Sequence, residues 1–201
     1  MLIGERVRLR ALEREDAQAC WRWMNDPDVR EHLLVLTPMS KHAEERWIEG
    51  WADRKDDHVF AVDAKAPGAA SMVLNGHLPL SPDALAEDDW RYIGNTGLHR
   101  VDTLHRVATA GIALGEKDCW GQGFGREALI LLLRFAFHEL GLNRVELEVF
   151  ESNQRARKTY RSVGFVQEGV RREGAYKHGR FVDCITMGML RGEFDARHRS
   201  E

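Results

Sequence analysis

The sequence predicts a mixed α/β fold in which one sheet carries helices on both faces. Three stretches support this. Val107 to Leu114 is an unbroken apolar run closed by Gly115 and a polar Glu116-Lys117-Asp118, the pattern of a buried strand entering a turn. Arg126 to Leu140 follows as a helix. Leu129, Leu132, Leu133, Ala136, Phe137 and Leu140 fall on one face at three- and four-residue spacings, and Gly141 stands where a C-terminal cap belongs. Val145 to Phe150 then alternates apolar residues with Glu146 and Glu148, so that one strand face is acidic.

The other elements follow in chain order. Residues 5–12 alternate polar and apolar and read as a first strand with one wet face. Glu15 to Asn25 reads as a helix ended by Asp26-Pro27, and a second helix opens after Ser40 and runs to about Arg54. The tryptophans of these helices serve either a core or a pocket. His58 to Asp63 is a second strand. Residues 64–90 hold Pro67, Gly68, Gly76, Pro79, Pro82 and an acidic Glu87-Asp88-Asp89, so they read as an insertion with one short strand at Ser71 to Leu74. Tyr92 to Leu98 is the third strand and Val107 to Leu114 the fourth. After the fifth, at Val145 to Phe150, Ser152-Asn153 opens a helix that ends at Gly164. Phe165 to Arg171 and Phe181 to Leu190 are the last two strands. Residues 192–201 are polar and are expected to fray.

Between the fourth strand and its helix lie Gly121, Gly123 and Gly125. Glycine accepts positive φ and lets a ligand approach without meeting a Cβ. The unpaired N–H groups and the dipole of a helix N-terminus favour an anion there, so a phosphate or pyrophosphate is the natural guest. Alone, Gly-x-Gly-x-Gly is equally the sequence of a plain tight turn. No Gly-Lys-Ser/Thr follows, which sets a P-loop aside, and the Gly-x-Gly-x-x-Gly of a dinucleotide fold is absent.

Taken together, three collinear motifs resemble the GCN5-related N-acetyltransferases (GNAT), and within them the ribosomal-protein N-acetyltransferase (RimJ/RimL-like) branch. They are Gly111-Ile-Ala-Leu-Gly-Glu-Lys-Asp-Cys-Trp-Gly-Gln-Gly-Phe-Gly125, Glu146-Leu-Glu-Val-Phe150, and Asn153-x-x-Ala156-x-x-x-Tyr160-x-x-x-Gly164-Phe165. One departure is Trp120, where the family usually has Gln or Arg. The resemblance implies a mostly antiparallel sheet splayed between the fourth and fifth strands. It implies acetyl-coenzyme A as co-substrate, no metal, and an amine acceptor. The pyrophosphate is expected on the amides of Gln122, Gly123, Phe124, Gly125 and Arg126, and the pantetheine arm on the backbone of Ile112, Ala113 and Leu114. Asn153 matches a residue that hydrogen-bonds the pantetheine region, and Tyr160 the acid that protonates the leaving thiolate. Arg157, like Arg126 and Arg155, is placed to touch phosphates.

Acyl transfer to an amine requires the amine to be neutral. For a side-chain amine of pKa about 10.4 this costs about 4–5 kcal/mol at pH 7, and for an α-amine near 8 about 1–1.5 kcal/mol, so the need for a base depends on the acceptor. Glu148 is the nominated base. Glu146, His99, His105, Asp183 and a water relay stay open. The acceptor stays open too, among a ribosomal-protein N-terminus, an amino acid, a polyamine and an aminoglycoside. Other readings are an acyl-coenzyme A sensor without turnover, and a non-acyl enzyme with another phosphorylated ligand.

The 201 residues suffice for one domain, expected over 1–191. A net charge of −3 argues against nucleic acid as the main partner. No apolar run reaches membrane-spanning length and no signal peptide opens the chain, so no membrane partner and a cytoplasmic location are expected. Cys20, Cys119 and Cys184 indicate neither a disulfide framework nor a zinc cluster. A homodimer is compatible with the resemblance. The insertion is expected to serve acceptor choice or a subunit contact. Its deletion should change acceptor KM or the mass measured by light scattering, and no change in either would reject that role.

Overall fold

The structure, a computed structural model, describes residues 1–34, 37–51, 54, 56–65 and 90–198. The interior of the expected insertion, including the strand proposed at Ser71 to Leu74, lies outside the described residues. Its ends are strand: Ala64 and Lys65 finish one and Trp90 begins the next.

Eight strands form one sheet in the order β1-β2-β3-β4-β5-β6-β8-β7. They are β1 (Leu2–Ile3), β2 (Val7–Arg10), β3 (His58–Lys65), β4 (Trp90–Asp102), β5 (Val107–Leu114), β6 (Arg144–Phe150), β7 (Val166–Lys177) and β8 (Arg180–Leu190). The short β1 shifts the numbering, so the fourth and fifth strands of the sequence are β5 and β6. Every pair is antiparallel except β5 with β6, which is parallel and holds only from Val107↔Arg144 to Thr109↔Glu146. Beyond Thr109 the two strands part, as the resemblance implied.

Helices cover both faces. Ile93 and Tyr92, neighbours in β4, point opposite ways. Ile93 enters the core beneath α4 (Phe124–Arg134), and Tyr92 packs with α1 (Ala17–Asn25), α2 (Pro27–Arg30) and α3 (Lys41–Glu49). Helix α4 forms because its apolar residues share one face. Ala128 to Leu133 are all buried, each leucine or isoleucine contributing roughly 1.5–3 kcal/mol. The helix begins two residues earlier than the periodicity implied, at Phe124. It ends in a π turn, Phe135–Glu139, closed by Leu140 N–H to Phe135 O at 3.0 Å, with Gly141 at φ 66° beyond it. The first expected helix is filled by a 3₁₀ turn, Arg14–Asp16, running into α1, whereas α3 stops at Glu49, short of Arg54; it opens as anticipated at Ser40, whose Oγ accepts from Ala43 N–H at 3.1 Å.

The C-terminal segment corrects an expectation. Arg191–His198 is helix α6, not a frayed tail, because Phe194 supplies an apolar anchor that a mostly polar stretch conceals. Phe194 is 1% exposed and its ring lies 5.4 Å from that of Phe137. Phe194→Ala should lower unfolding stability by about 3–5 kcal/mol in urea denaturation. A loss below about 1 kcal/mol would mean that α6 is not docked.

Candidate active site

The parting of β5 from β6 leaves one backbone edge of β5 open. Gly115 N–H donates to Ile93 O at 2.9 Å, so the two-residue alternation turns Ala113 and Gly111 toward β4. Ile112 and Leu114 therefore face the opening. Of the three residues predicted to hold an extended arm, Ile112 offers it N–H and C=O and Leu114 its N–H, the Leu114 carbonyl being engaged by the Trp120 indole, while Ala113 pairs with Asn95.

At the end of this edge the chain turns through Gly121 and Gly123, with φ of 77° and 92°, into α4. Among the described residues, the amides of Gly121, Gln122, Gly123, Phe124 and Gly125 donate to no acceptor, which makes a cradle for an anion. The Arg126 amide, expected in the same set, instead donates to Gly123 O at 3.0 Å, and its side chain lines the cavity. Arg6 guards the cradle: it donates to Gln122 O at 3.2 Å, and its guanidinium sits 5.1 Å from the Phe124 ring.

Trp120 is tied into this geometry. Its indole N–H donates to Leu114 O at 2.8 Å, joining the loop to the last residue of β5. The Arg155 guanidinium lies 3.8 Å from its ring centroid. Arg155 thus lines the cavity, whereas Arg157 does not. Arg157 Nη1 donates to Glu151 O at 3.0 Å, away from the cleft. The two sit about 200° apart around the helix, on opposite faces, and tertiary packing chooses which face meets the cleft.

Helix α5 (Gln154–Val163) crosses the opening. Asn153 caps it, Oδ1 accepting from Ala156 N–H at 3.0 Å, and its Nδ2 has no acceptor among the described residues. Gly164 closes it at φ 123°. Tyr160 is buried at 7% exposure against Phe165, lines the cavity, and burial pushes its phenol up to about 12. It therefore stays protonated well above pH 7 and can give a proton away.

The cavity, about 960 Å³, continues to the opposite face of the sheet. Met24, Val29, Leu33, Trp47 and Val59 form an apolar wall there. Lys177 holds the loop after α2 in place, its ammonium donating to the carbonyls of Arg30, Glu31 and Leu33 at 2.8, 2.6 and 3.0 Å. Glu148 reaches the cavity from β6, but its carboxylate is paired with Arg171 at 2.9 Å. Glu146 pairs with Arg144 at 3.1 Å and does not line the cavity. His105 and Asp183 are also elsewhere. His105 N–H donates to Asp102 in the β4–β5 turn, and Asp183 accepts from Glu173 N–H at 2.7 Å. His99 does line the cavity, as does Cys119, whose thiol pKa burial raises, so that it stays protonated. Among the described residues no group of side chains could hold a metal ion.

An open strand edge leading into free amides suits a ligand with an amide-bearing arm and a pyrophosphate, which is the make-up of coenzyme A. The class is that of acyl-coenzyme A-dependent acyltransferases. The chain belongs to the acetyltransferase (GNAT) domain family, which it matches over residues 6–166. It is therefore an acyltransferase that uses acetyl-coenzyme A. It is 28% identical, across 96% of its own length and 97% of the other's, to the uncharacterized N-acetyltransferase p20 of Bacillus licheniformis. It is 32% identical to the putative ribosomal N-acetyltransferase YdaF of Bacillus subtilis, over 53% of this chain and 58% of that one. The fold superimposes with a TM-score of 0.78 on the spermidine N-acetyltransferase of Vibrio cholerae solved with CoA and spermine, at 23% identity over 95% of this chain and 99% of that one. No helix of the described residues is long and apolar enough to cross a membrane.

Trp120→Phe keeps the ring under Arg155 and removes the bond to Leu114 O. A lost hydrogen bond of this kind amounts to about 0.5–1.5 kcal/mol, so coenzyme A should bind about 2- to 10-fold more weakly by calorimetry. Unchanged affinity would mean that the tie does not shape the cradle.

Proposed function

We propose that the protein transfers the acetyl group by direct attack of a primary amine in a ternary complex, and that the acceptor is the α-amine of a peptide, such as the N-terminus of a ribosomal protein. The observation that carries the acceptor choice is the charge of the cavity wall. Among the described residues it holds the cations Arg126, Arg155, Lys158 and Arg171 and one carboxylate, Glu148, already paired with Arg171. A polyamine brings several ammonium groups that need carboxylate partners, and like charges oppose its entry. A peptide N-terminus brings one ammonium on a neutral backbone, and its first side chain suits the wall of Met24, Val29, Leu33, Trp47 and Val59. The resemblance to YdaF agrees with this reading, and that to the spermidine enzymes does not.

In this reading the free amides of Gly121 to Gly125 bind the pyrophosphate and the Ile112 and Leu114 edge orients the pantetheine arm, with Asn153 Nδ2 beside it. Fixing both reactants in the cleft supplies several kcal/mol of the rate enhancement. Tyr160 donates its phenolic proton to the departing sulfur. Glu148, with Arg171 holding it, steers the incoming ammonium and does not take its proton.

The test is release of free thiol from acetyl-coenzyme A against peptides, spermidine and an aminoglycoside, run beside Tyr160→Phe. Turnover should be highest with a peptide N-terminus. Tyr160→Phe should lower kcat about 10²-fold or more with coenzyme A affinity kept, since removing a general acid forfeits about 10²- to 10⁴-fold. Preference for spermidine would overturn the acceptor assignment. Binding without thiol release on any amine would point to a sensor.

A further inference from the structure

The transfer needs a group that takes a proton from the attacking nitrogen, and Glu148 is engaged with Arg171. We propose that His99, oriented by Asp57, is the general base of this reaction, an assignment that rests on the acyl-transfer reading above.

The geometry begins in the backbone. The pairing of β4 with β5 is interrupted between His99 and Asp102, and within that bulge Arg100 takes φ 52°, a left-handed conformation unusual for a residue with a side chain. Bulges re-aim a strand near functional sites. Here the bulge turns the Arg100 N–H onto Asp57 Oδ1 at 2.9 Å, and Val101 N–H onto Asp56 O at 2.8 Å. Asp57, so held, stands 3.5 Å from His99 Nδ1. The Trp51 ring packs 5.7 Å from the imidazole and limits its rotation.

With Nδ1 turned to Asp57, Nε2 is left for the cavity. It projects over Gly111, where an added Cβ would lie 3.4 Å from it. Gly111 precedes Ile112, the first residue that turns its backbone to the open edge, so Nε2 lies beside the place where the acyl group must rest. His99 shares a sheet face with Gly97, its neighbour two residues away, and approaches from the side of the apolar acceptor wall. Tyr160 approaches from the α5 side. Acid and base thus flank the opening.

The charged groups facing His99 are Asp57, Arg54 and Arg100. Burial is the largest influence on the imidazole and lowers its pKa below 6.5, with Asp57 opposing that shift. The side chain is therefore neutral at pH 7 and able to accept a proton. It is too weak a base to strip a free ammonium completely, but that is not what the step asks. The neutral amine forms the N–C bond, its nitrogen becomes positively charged and far more acidic, and Nε2 accepts the proton. As the C–S bond breaks, the sulfur takes the electron pair and the proton of Tyr160. Water returns a proton from His99 to Tyr160, leaving an amide and a free thiol. Asp57 stabilises the transient imidazolium and acts as a positioning residue.

The experiment is the pH dependence of kcat/KM for thiol release with a peptide acceptor, together with coenzyme A binding, for wild type, His99→Gln, Asp57→Asn, Gly111→Ala and Glu148→Gln. Wild type should show an acidic limb below pH 6.5, activity rising as His99 loses its proton. His99→Gln should abolish that limb and lower kcat about 10²-fold or more, as loss of a general base does. Asp57→Asn should move the limb to lower pH, because the carboxylate that favours the imidazolium is gone. Gly111→Ala keeps the imidazole but covers Nε2 with a methyl group, and should lower kcat with coenzyme A binding retained. It serves also if the His99 variant fails to fold. An unchanged limb in His99→Gln, or its loss in Glu148→Gln alone, overturns the proposal and leaves the acyl-transfer reading intact. No thiol release by the wild type overturns both.

Discussion

The parallel pairing of β5 with β6 holds for three residues and then stops, and the rest of the site depends on that. A continuous sheet would bury both edges of β5 in ladder hydrogen bonds. By parting after Thr109 and Glu146, the strands leave the backbone groups of Ile112 and the N–H of Leu114 for a ligand to satisfy. The same wedge is open to both faces of the sheet, so a donor molecule and an acceptor can reach one point from opposite sides. The wedge persists because each strand is anchored elsewhere: β5 along β4 from Gly94↔Leu114 to Asp102↔Val107, and β6 along β8 over its full length.

Two kinds of burial then divide the chemistry. Tyr160 is buried without a charged partner, so its phenol keeps its proton at neutral pH, and in the proposed reaction that proton passes to the sulfur as the C–S bond breaks. The cradle at the N-terminus of α4 works the other way, since five amides with no internal acceptor make a place where negative charge is stabilised. The cations along the cavity extend that preference beyond the loop. An anionic co-substrate and a singly charged acceptor fit this field better than a polycation does.

Much of this was legible in the chain. The strand-loop-helix at 107–140 could be read because apolar spacing, three glycines and a cap agree with one another, and tertiary packing had nothing to overrule. Val107–Leu114 is found at those bounds, and α5 is flanked by the cap residues Asn153 and Gly164 that its composition indicated. The C-terminal helix was missed because one phenylalanine in a polar octapeptide gives no periodicity. The π turn after Arg134 was missed because it adds no residue type that sequence patterns register. Residues 66–89 lie outside the described residues, so the expectation for them stands as it was made.

What the sequence by itself determined is local: which segments are strand or helix, where the glycine turn lies, and which asparagine and glycine bound the helix after the fifth strand. These follow from side-chain period, φ preference and capping, all of which act within a few residues. Only the tertiary structure decided which of several equivalent charges face the cleft. Arg155 rather than Arg157 reaches Trp120, Glu148 is committed to Arg171, and His99 meets Asp57 from more than forty residues away. Charged side chains are long, and their partners are set by strand register and by where a bulge turns the backbone. A one-dimensional pattern does not encode those distances.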